Sequence, residues 1–150
     1  MDVKGQESLP ASPDEAWDLL NDPAVLAACI PGCKALHPED EGAYRMELEL
    51  GIAAVKGRYQ GRVEIRDPLP PATYTLHIEA QGAQGFLSAD IPIRLESGGE
   101  GTVLTYDGRA EVGGLIAGVG QRMIAGVARS VTRQFFDALA RQIAARPAST

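Results

Sequence analysis

The chain has 150 residues, of which 45% are hydrophobic and 23% are charged, a balance typical of one globular domain with a real core. The net charge of −6 argues against nucleic acid as a partner, because phosphate contacts need a basic surface. The sequence shows no signal peptide and no apolar stretch of the ~18 residues that a membrane span needs. We therefore expect a cytoplasmic protein with a single domain over residues 1–147 and a frayed tail over residues 148–150.

Charge is unevenly distributed along the chain. Residues 113–150 contain five arginines and one acid, a net charge of +4, so residues 1–112 carry −10. On a helix, Arg122, Arg129 and Arg133 would lie within about 40° of one another. This basic stripe is either a solvated face with some arginines paired to the acidic part of the chain, or a surface for transient contact with an anionic membrane or an acidic partner.

The N-terminal part predicts a strand followed by two short helices. Residues 2–10 read as the entering strand. Ser12 can cap the first helix, and Glu15 completes a capping box. Pro23 suits the start of the second helix, which the Pro-Gly pair at 31–32 ends.

Five later segments alternate apolar and polar residues with a period of two, which indicates strands with one buried face. Short turns between them predict an antiparallel meander, giving about six strands in all. The segments cover residues 44–50, 58–65, 74–79, 87–95 and 104–112.

A long amphipathic helix is predicted from about residue 115 to residue 145. Its apolar stripe repeats every four residues, so it drifts by about 40° at each step and the two halves must face different partners. With the strands, this predicts an α+β fold in which a curved sheet of six to seven strands wraps around the helix.

Such a curved sheet leaves space against the helix, and the chain has few large aromatic residues to fill it. We therefore predict an apolar cavity between sheet and helix. The candidate lining residues are Leu26, Ile30, Tyr44, Met46, Tyr59, Tyr74, Leu87, Tyr106, Ile116, Val119, Met123 and Val127.

The sequence offers little for catalysis or metal binding. Cys29 and Cys33 lack the further ligands of a zinc site and the Cys-x2-Cys spacing of a redox pair, so we interpret them as packed thiols. His77 falls on the polar face of its strand and is predicted to be a surface residue, as is Asp90. No catalytic residue and no metal ligand is predicted.

Several segments carry a resemblance to a known family. They are LAACIPGC at 26–33, DPLPP at 67–71, GTVLTY at 101–106, and the helix from GGLIAGVG at 113–120 to Phe135 and Phe136. In this order they resemble the CoxG family of carbon monoxide dehydrogenase subunits, which belongs to the START-like, helix-grip (SRPBCC) superfamily. The resemblance spans nearly the whole chain, and the Cys-Ile-Pro-Gly-Cys element is its most specific part.

The resemblance implies a helix-grip fold with seven strands and a hydrophobic cavity, in which Leu26 and Ile30 could form a gate at the mouth. It also implies an accessory role beside a molybdenum hydroxylase of the carbon monoxide dehydrogenase type, recruitment of that enzyme to the inner face of the cell membrane, and binding of an isoprenoid quinone or lipid. Many members have a long C-terminal extension. This chain stops at Thr150, which favours a carrier over a stable anchor.

Two other functions stay open at this point. A cavity enzyme of the cyclase or aromatase type would need acid–base groups facing inward, whereas the predicted inward faces are apolar apart from four tyrosines. A protein-interaction subunit without ligand would have a filled core. Exposed strand edges also permit a homodimer.

Overall fold

The strands form one antiparallel sheet in the computed structural model, which describes residues 1–52 and 55–145. Within these residues there are seven strands: β1 Asp2–Leu9, β2 Cys33–Pro38, β3 Ala43–Leu50, β4 Gly57–Leu69, β5 Thr73–Gly82, β6 Gly85–Gly98 and β7 Gly101–Gly113. Their order in the sheet is β1-β7-β6-β5-β4-β3-β2. Every neighbour in chain order from β2 to β7 therefore pairs directly, which confirms the predicted meander.

The helices frame this sheet. They are α1 Pro13–Leu20, α2 Pro23–Cys29, a 3₁₀-helix Leu115–Val119 and α3 Gln121–Ala145. The Ser12 hydroxyl accepts a hydrogen bond from the Glu15 amide at 3.2 Å, which confirms the predicted cap of α1. The Asp22 carboxylate caps α2 in the same way through the Ala24 amide at 2.9 Å. Both short helices lie between β1 and β2 in the chain.

The predictions missed one strand and misplaced the start of the long helix. Strand β2 was missed because it is short and its burial does not alternate regularly. The long helix begins at Gln121 rather than near residue 115. Gly114 has φ +80° and Gly120 has φ +97°, and both values are incompatible with a right-handed α-helix. The two glycines therefore set off the short 3₁₀-helix from α3. The predicted frayed tail at 148–150 lies outside the described residues.

The core lies under α1, α2 and the second half of α3. It combines Leu104 of β7, Tyr74 of β5 and Leu19 of α1 with Leu139 of α3. The ring of Trp17 packs edge-on against Tyr74 at a centroid distance of 5.2 Å. Because the core is gathered at this end of the sheet, the first half of α3 is left outside it.

Candidate ligand-binding site

The inner face of the sheet carries rows of apolar side chains aligned by the strand register. One row runs from Tyr44 through Val63 and Ile78 to Ala89. In the next row, Gly61 lies between Met46 and Ala80, and a Cβ added at Gly61 would come within 2.9 Å of the Met46 methyl group. Gly61 thus allows close packing of β3, β4 and β5. The predicted alternation of inner and outer residues is confirmed on these strands.

Much of this inner face is only half-buried. The half-buried apolar side chains come from five strands: Tyr44, Leu48, Ile65, Leu76, Ile78, Leu87, Ile91 and Val112. On the helix that crosses the sheet, the buried side chains within Gln121–Ala145 are Phe136 and Leu139. Apolar surface therefore stays accessible on the sheet, and residues 121–135 do not seal it.

The side of α3 that faces the sheet is defined by Leu139. At 100° per residue, Ala125, Ala128 and Thr132 lie within about 40° of Leu139, whereas Met123 lies about 160° away. Met123 is 52% exposed, in agreement with this geometry. The first half of the helix thus presents small side chains to the sheet. Sequence analysis missed these three residues, although a helical wheel anchored on the last apolar turn would have identified them.

The predicted lining residues fall into three groups in the structure. Leu26, Met46, Tyr59, Tyr74 and Ile116 are buried, whereas Ile30, Tyr44, Leu87, Tyr106 and Val127 are half-buried.

Val119 and Met123 are 41% and 52% exposed, so the expectation that they face an enclosed cavity is corrected. They lie with Leu115 and Phe86 among the exposed large apolar residues. Val119 belongs to the 3₁₀-helix before α3, and Met123 lies on the side of α3 away from Leu139 because an apolar stripe with a four-residue repeat drifts around the helix. Contact of the other predicted residues with a ligand stays a prediction.

A groove of about 230 Å³ separates β1 from α3. Its lining includes Glu7, Tyr106, Ala128, Arg129, Thr132 and Arg133. Glu7 pairs in register with Leu104, so its carboxylate lies on the inner face of the sheet. The Arg133 guanidinium donates to this carboxylate at 2.9 Å and to Asp137 at 3.1 Å.

These contacts decide the role of one arginine in the predicted basic stripe. Arg133 is paired with Glu7 of the acidic part of the chain and with Asp137, and its side chain is still 55% exposed; Arg122 and Arg129 are exposed as well. The ring of Tyr106 lines the groove and stacks on Phe136 at a centroid distance of 5.8 Å. Burial, and to a lesser degree the Glu7 carboxylate, raises the pKa of Tyr106, so this phenol keeps its proton as a donor.

A larger groove of about 720 Å³ lies on the outer face of the sheet. Glu47, Gln60 and Gln81 form one aligned row there, and all three are exposed. Lys34 and Arg58 also contribute to the lining. Leu48 and Tyr59 belong to the lining as well, and Tyr59 is one of the predicted cavity residues.

His77 departs from its predicted surface position, since it is only 7% exposed. On the outer face, its Nδ1 lies 2.6 Å from an Asp90 oxygen and its Nε2 lies 3.1 Å from a Glu79 oxygen. Asp90 is exposed, as predicted. Burial opposes the charge of the imidazole, but the hydrogen bonds to the two carboxylates outweigh burial and the nearby Arg66, so the pKa of His77 is raised.

This raised pKa predicts a loss of stability at alkaline pH. The stabilisation by protonated His77 is fully present below the unfolded-state pKa of about 6.5 and disappears as the pH rises through the higher folded-state pKa. Denaturant unfolding measured from pH 6 to pH 9 should show wild type losing stability relative to His77→Gln across this window. Parallel curves for the two proteins would contradict the assignment.

The two cysteines are free thiols, as predicted. Cys29 is buried, and burial raises the pKa of its thiol against the opposing field of Arg141. Burial also raises the pKa of Cys33. Raised pKa values keep both side chains in the thiol form, which is the less reactive one. Within residues 1–52 and 55–145, no cluster of three His, Cys, Asp or Glu side chains could hold a metal ion.

A curved seven-stranded antiparallel sheet, two short helices after β1 and a long C-terminal helix define a helix-grip domain. The model of the CoxG family of carbon monoxide dehydrogenase subunits matches residues 5–144, and the chain belongs to this family. Among curated proteins, no match is found. None of the helices in the described part of the chain is long and apolar enough to cross a bilayer.

Solved structures show the same fold. A conserved protein from Geobacillus kaustophilus is 40% identical, with a TM-score of 0.93 over 96% of this chain and 95% of that one. A protein from Chromobacterium violaceum is 17% identical, with a TM-score of 0.72 over 95% of this chain and 96% of that one. A protein from Thermus thermophilus is 14% identical, with a TM-score of 0.71 over 97% and 98%. The last two similarities concern the fold alone.

Proposed function

We propose that this protein is a non-catalytic accessory subunit that carries an apolar ligand, an isoprenoid quinone or a lipid, between the sheet and the first half of α3. In this role it links a molybdenum hydroxylase of the carbon monoxide dehydrogenase type to the cell membrane. The observation that carries the proposal is the small-residue face of α3, formed by Ala125, Ala128 and Thr132, which lines an open groove beside β1 and the half-buried Tyr106.

The physical argument concerns the apolar surface that folding leaves accessible. Burial of such surface contributes about 25 cal/mol per Å², so a helix with large side chains at these positions would be the more stable arrangement. Instead, Ala128 and Thr132 keep α3 thin beside β1 and Tyr106, and Ile78 on the inner face of the sheet is only half-buried. An apolar ligand in this space would cover the apolar surface that the helix leaves accessible. This supports a carrier over an interaction subunit with a filled core.

The polar groups of the inner face favour binding over catalysis. The Tyr59 hydroxyl donates to the Val55 carbonyl at 2.6 Å and is thereby committed to the fold. Glu7 is committed to Arg133. A cyclase-type or aromatase-type reaction needs acid–base groups that can exchange protons with a substrate, and the pairing of Tyr59 and Glu7 removes these two candidates for that role.

The exposed end of the molecule supports transient membrane contact. Phe86, Leu115, Val119 and Met123 are exposed apolar side chains, and Arg122 is the neighbour of Met123. Each basic residue near the surface adds about 1 kcal/mol to the attraction by anionic lipid, which supports reversible binding to the membrane. Contact with the partner enzyme and formation of a homodimer are further parts of the proposal.

Ala128→Trp should reduce the affinity for an added short-chain ubiquinone by about tenfold or more, because the indole would occupy the groove beside β1 and Tyr106. Gln134→Trp is the matched control, since Gln134 is exposed on the same helix. Native mass spectrometry of both variants and of wild type purified from its own organism measures occupancy. A wild type that is empty and takes up neither ubiquinone nor menaquinone would argue against the carrier role.

A further inference from the structure

The groove between β1 and α3 differs chemically from the apolar surface beside it. Ala128 and Thr132 line the groove and also belong to the small-residue face of α3. The groove is therefore the continuation of that face towards the edge of the sheet. Here the surroundings change from aliphatic to polar, with the Arg133 guanidinium, the Tyr106 phenol and the Glu7 carboxylate within one small space.

The groove has a surplus of hydrogen-bond donors. The hydrogen bonds of Arg133 among the described residues, to Glu7 and Asp137, use two of the five guanidinium N–H groups. Arg129 adds a second guanidinium to the lining. The Tyr106 hydroxyl lies against Gly5 of β1, where any side chain would collide with it. Gly5 thus leaves room for the phenol beside β1.

The size of the groove limits what it can hold. Its volume of about 230 Å³ is below the roughly 300–1,000 Å³ of sites that enclose a whole drug-sized ligand. It can take one end of a ligand whose remaining part extends along the small-residue face. Because the available groups are mainly donors, that end must carry acceptor oxygens.

We propose that the groove between β1 and α3 is the head-group subsite of the carrier, in which Arg133 and Tyr106 donate hydrogen bonds to an acceptor oxygen of an otherwise apolar ligand. The oxygen is a quinone carbonyl or a fatty-acid carboxylate, two sources of the same acceptor chemistry. Glu7 is a positioning residue, since its ion pair with Arg133 fixes the guanidinium. This subsite rests on the carrier function proposed above.

The test compares ligands with and without a head group. Purified full-length protein is titrated with a short-chain ubiquinone, with palmitate and with hexadecane, and thermal unfolding checks that each variant is folded. Arg133→Met removes the donors and keeps an apolar stem. Glu7→Gln/Arg133→Met removes both charges, so that no half-buried carboxylate is left unpaired. Arg94→Met on the outer face is the control, since its side chain is 66% exposed and remote from the groove.

Both Arg133 variants should bind one of the two oxygen-bearing ligands about tenfold more weakly, the loss expected for a charge-assisted hydrogen bond. In the same titrations, their affinity for hexadecane, which has no acceptor oxygen, should stay within about twofold of that of wild type. The ligand that loses affinity identifies the oxygen as carbonyl or carboxylate.

Unchanged binding of both oxygen-bearing ligands, or an equal loss for hexadecane, would overturn the subsite while leaving the carrier function in place. A wild type that takes up none of the three ligands would overturn the carrier function and the subsite together.

Discussion

Leu139→Ala should lower the free energy of unfolding by about 2–5 kcal/mol, the usual range for a leucine removed from a packed core. Leu139 is 1% exposed and belongs to the core cluster. It is one of the two buried side chains of α3, with Phe136 as the other. The truncation therefore leaves a cavity and also removes one of the main contacts between the long helix and the core.

Leu115→Ala is the matched control for this prediction. The same atoms are removed there, but Leu115 is 72% exposed, so the change should stay within about 0.5 kcal/mol. Urea unfolding followed by circular dichroism gives both free energies. Similar losses in the two variants would show that α3 is not anchored through Leu139. If the unfolding free energy of Leu139→Ala depended less steeply on urea concentration than that of wild type, the helix would be unfolding separately.

Thr102→Val should cost about 1–3 kcal/mol, because a buried carbonyl would lose its donor. Thr102 is 1% exposed, and its hydroxyl donates to the Ala11 carbonyl at 2.7 Å. This hydrogen bond joins the start of β7 to the turn before α1, across 91 positions of sequence. Valine has nearly the same shape, so the substitution isolates the hydrogen bond from packing.

Thr105→Val provides the comparison on the same strand. Thr105 is exposed on the outer face, and valine favours strands at least as well as threonine. We expect a change within about 0.5 kcal/mol. Thermal and denaturant unfolding of the two variants should differ clearly. If Thr102→Val were as stable as Thr105→Val, the hydroxyl of Thr102 would contribute no net stability.

The features that local sequence determines were predicted correctly. The alternation of Met46 and Leu48 with Glu47 and Glu49 sets the inner and outer faces of β3, because successive side chains of a strand point in opposite directions. The cap at Ser12 depends on atoms within three residues. Such patterns involve only a few neighbouring residues, and they can therefore be recognised in the sequence alone.

Features that depend on a positive φ angle could be predicted only in part from the sequence. The stripe from Leu115 to Val127 continues through Gly118 and Gly120 as if the helix were unbroken. Only the structure shows that Gly120 adopts φ +97° and that α3 starts after it. Glycine is compatible with either state, since it lacks the Cβ that restricts other residues.

The position of His77 was decided by tertiary contacts. The strand pattern correctly assigns it to the outer face, but Asp90 of the neighbouring strand β6 and Glu79 of the same strand lie against the two ring nitrogens, and the ring is buried. A polar position in the middle of a seven-stranded sheet is flanked by other side chains on both sides. Alternation predicts the face of a sheet and leaves the degree of burial undetermined.

The sequence by itself determined a curved antiparallel sheet with a C-terminal helix and the family to which the chain belongs. The tertiary structure decided which side of α3 meets the sheet, because Leu139 and Phe136 fix the rotation of the helix. It also decided the groove that pairs Glu7 with Arg133 across 126 positions. No local pattern encodes an ion pair at that separation, since it forms only when β1 and α3 are packed together.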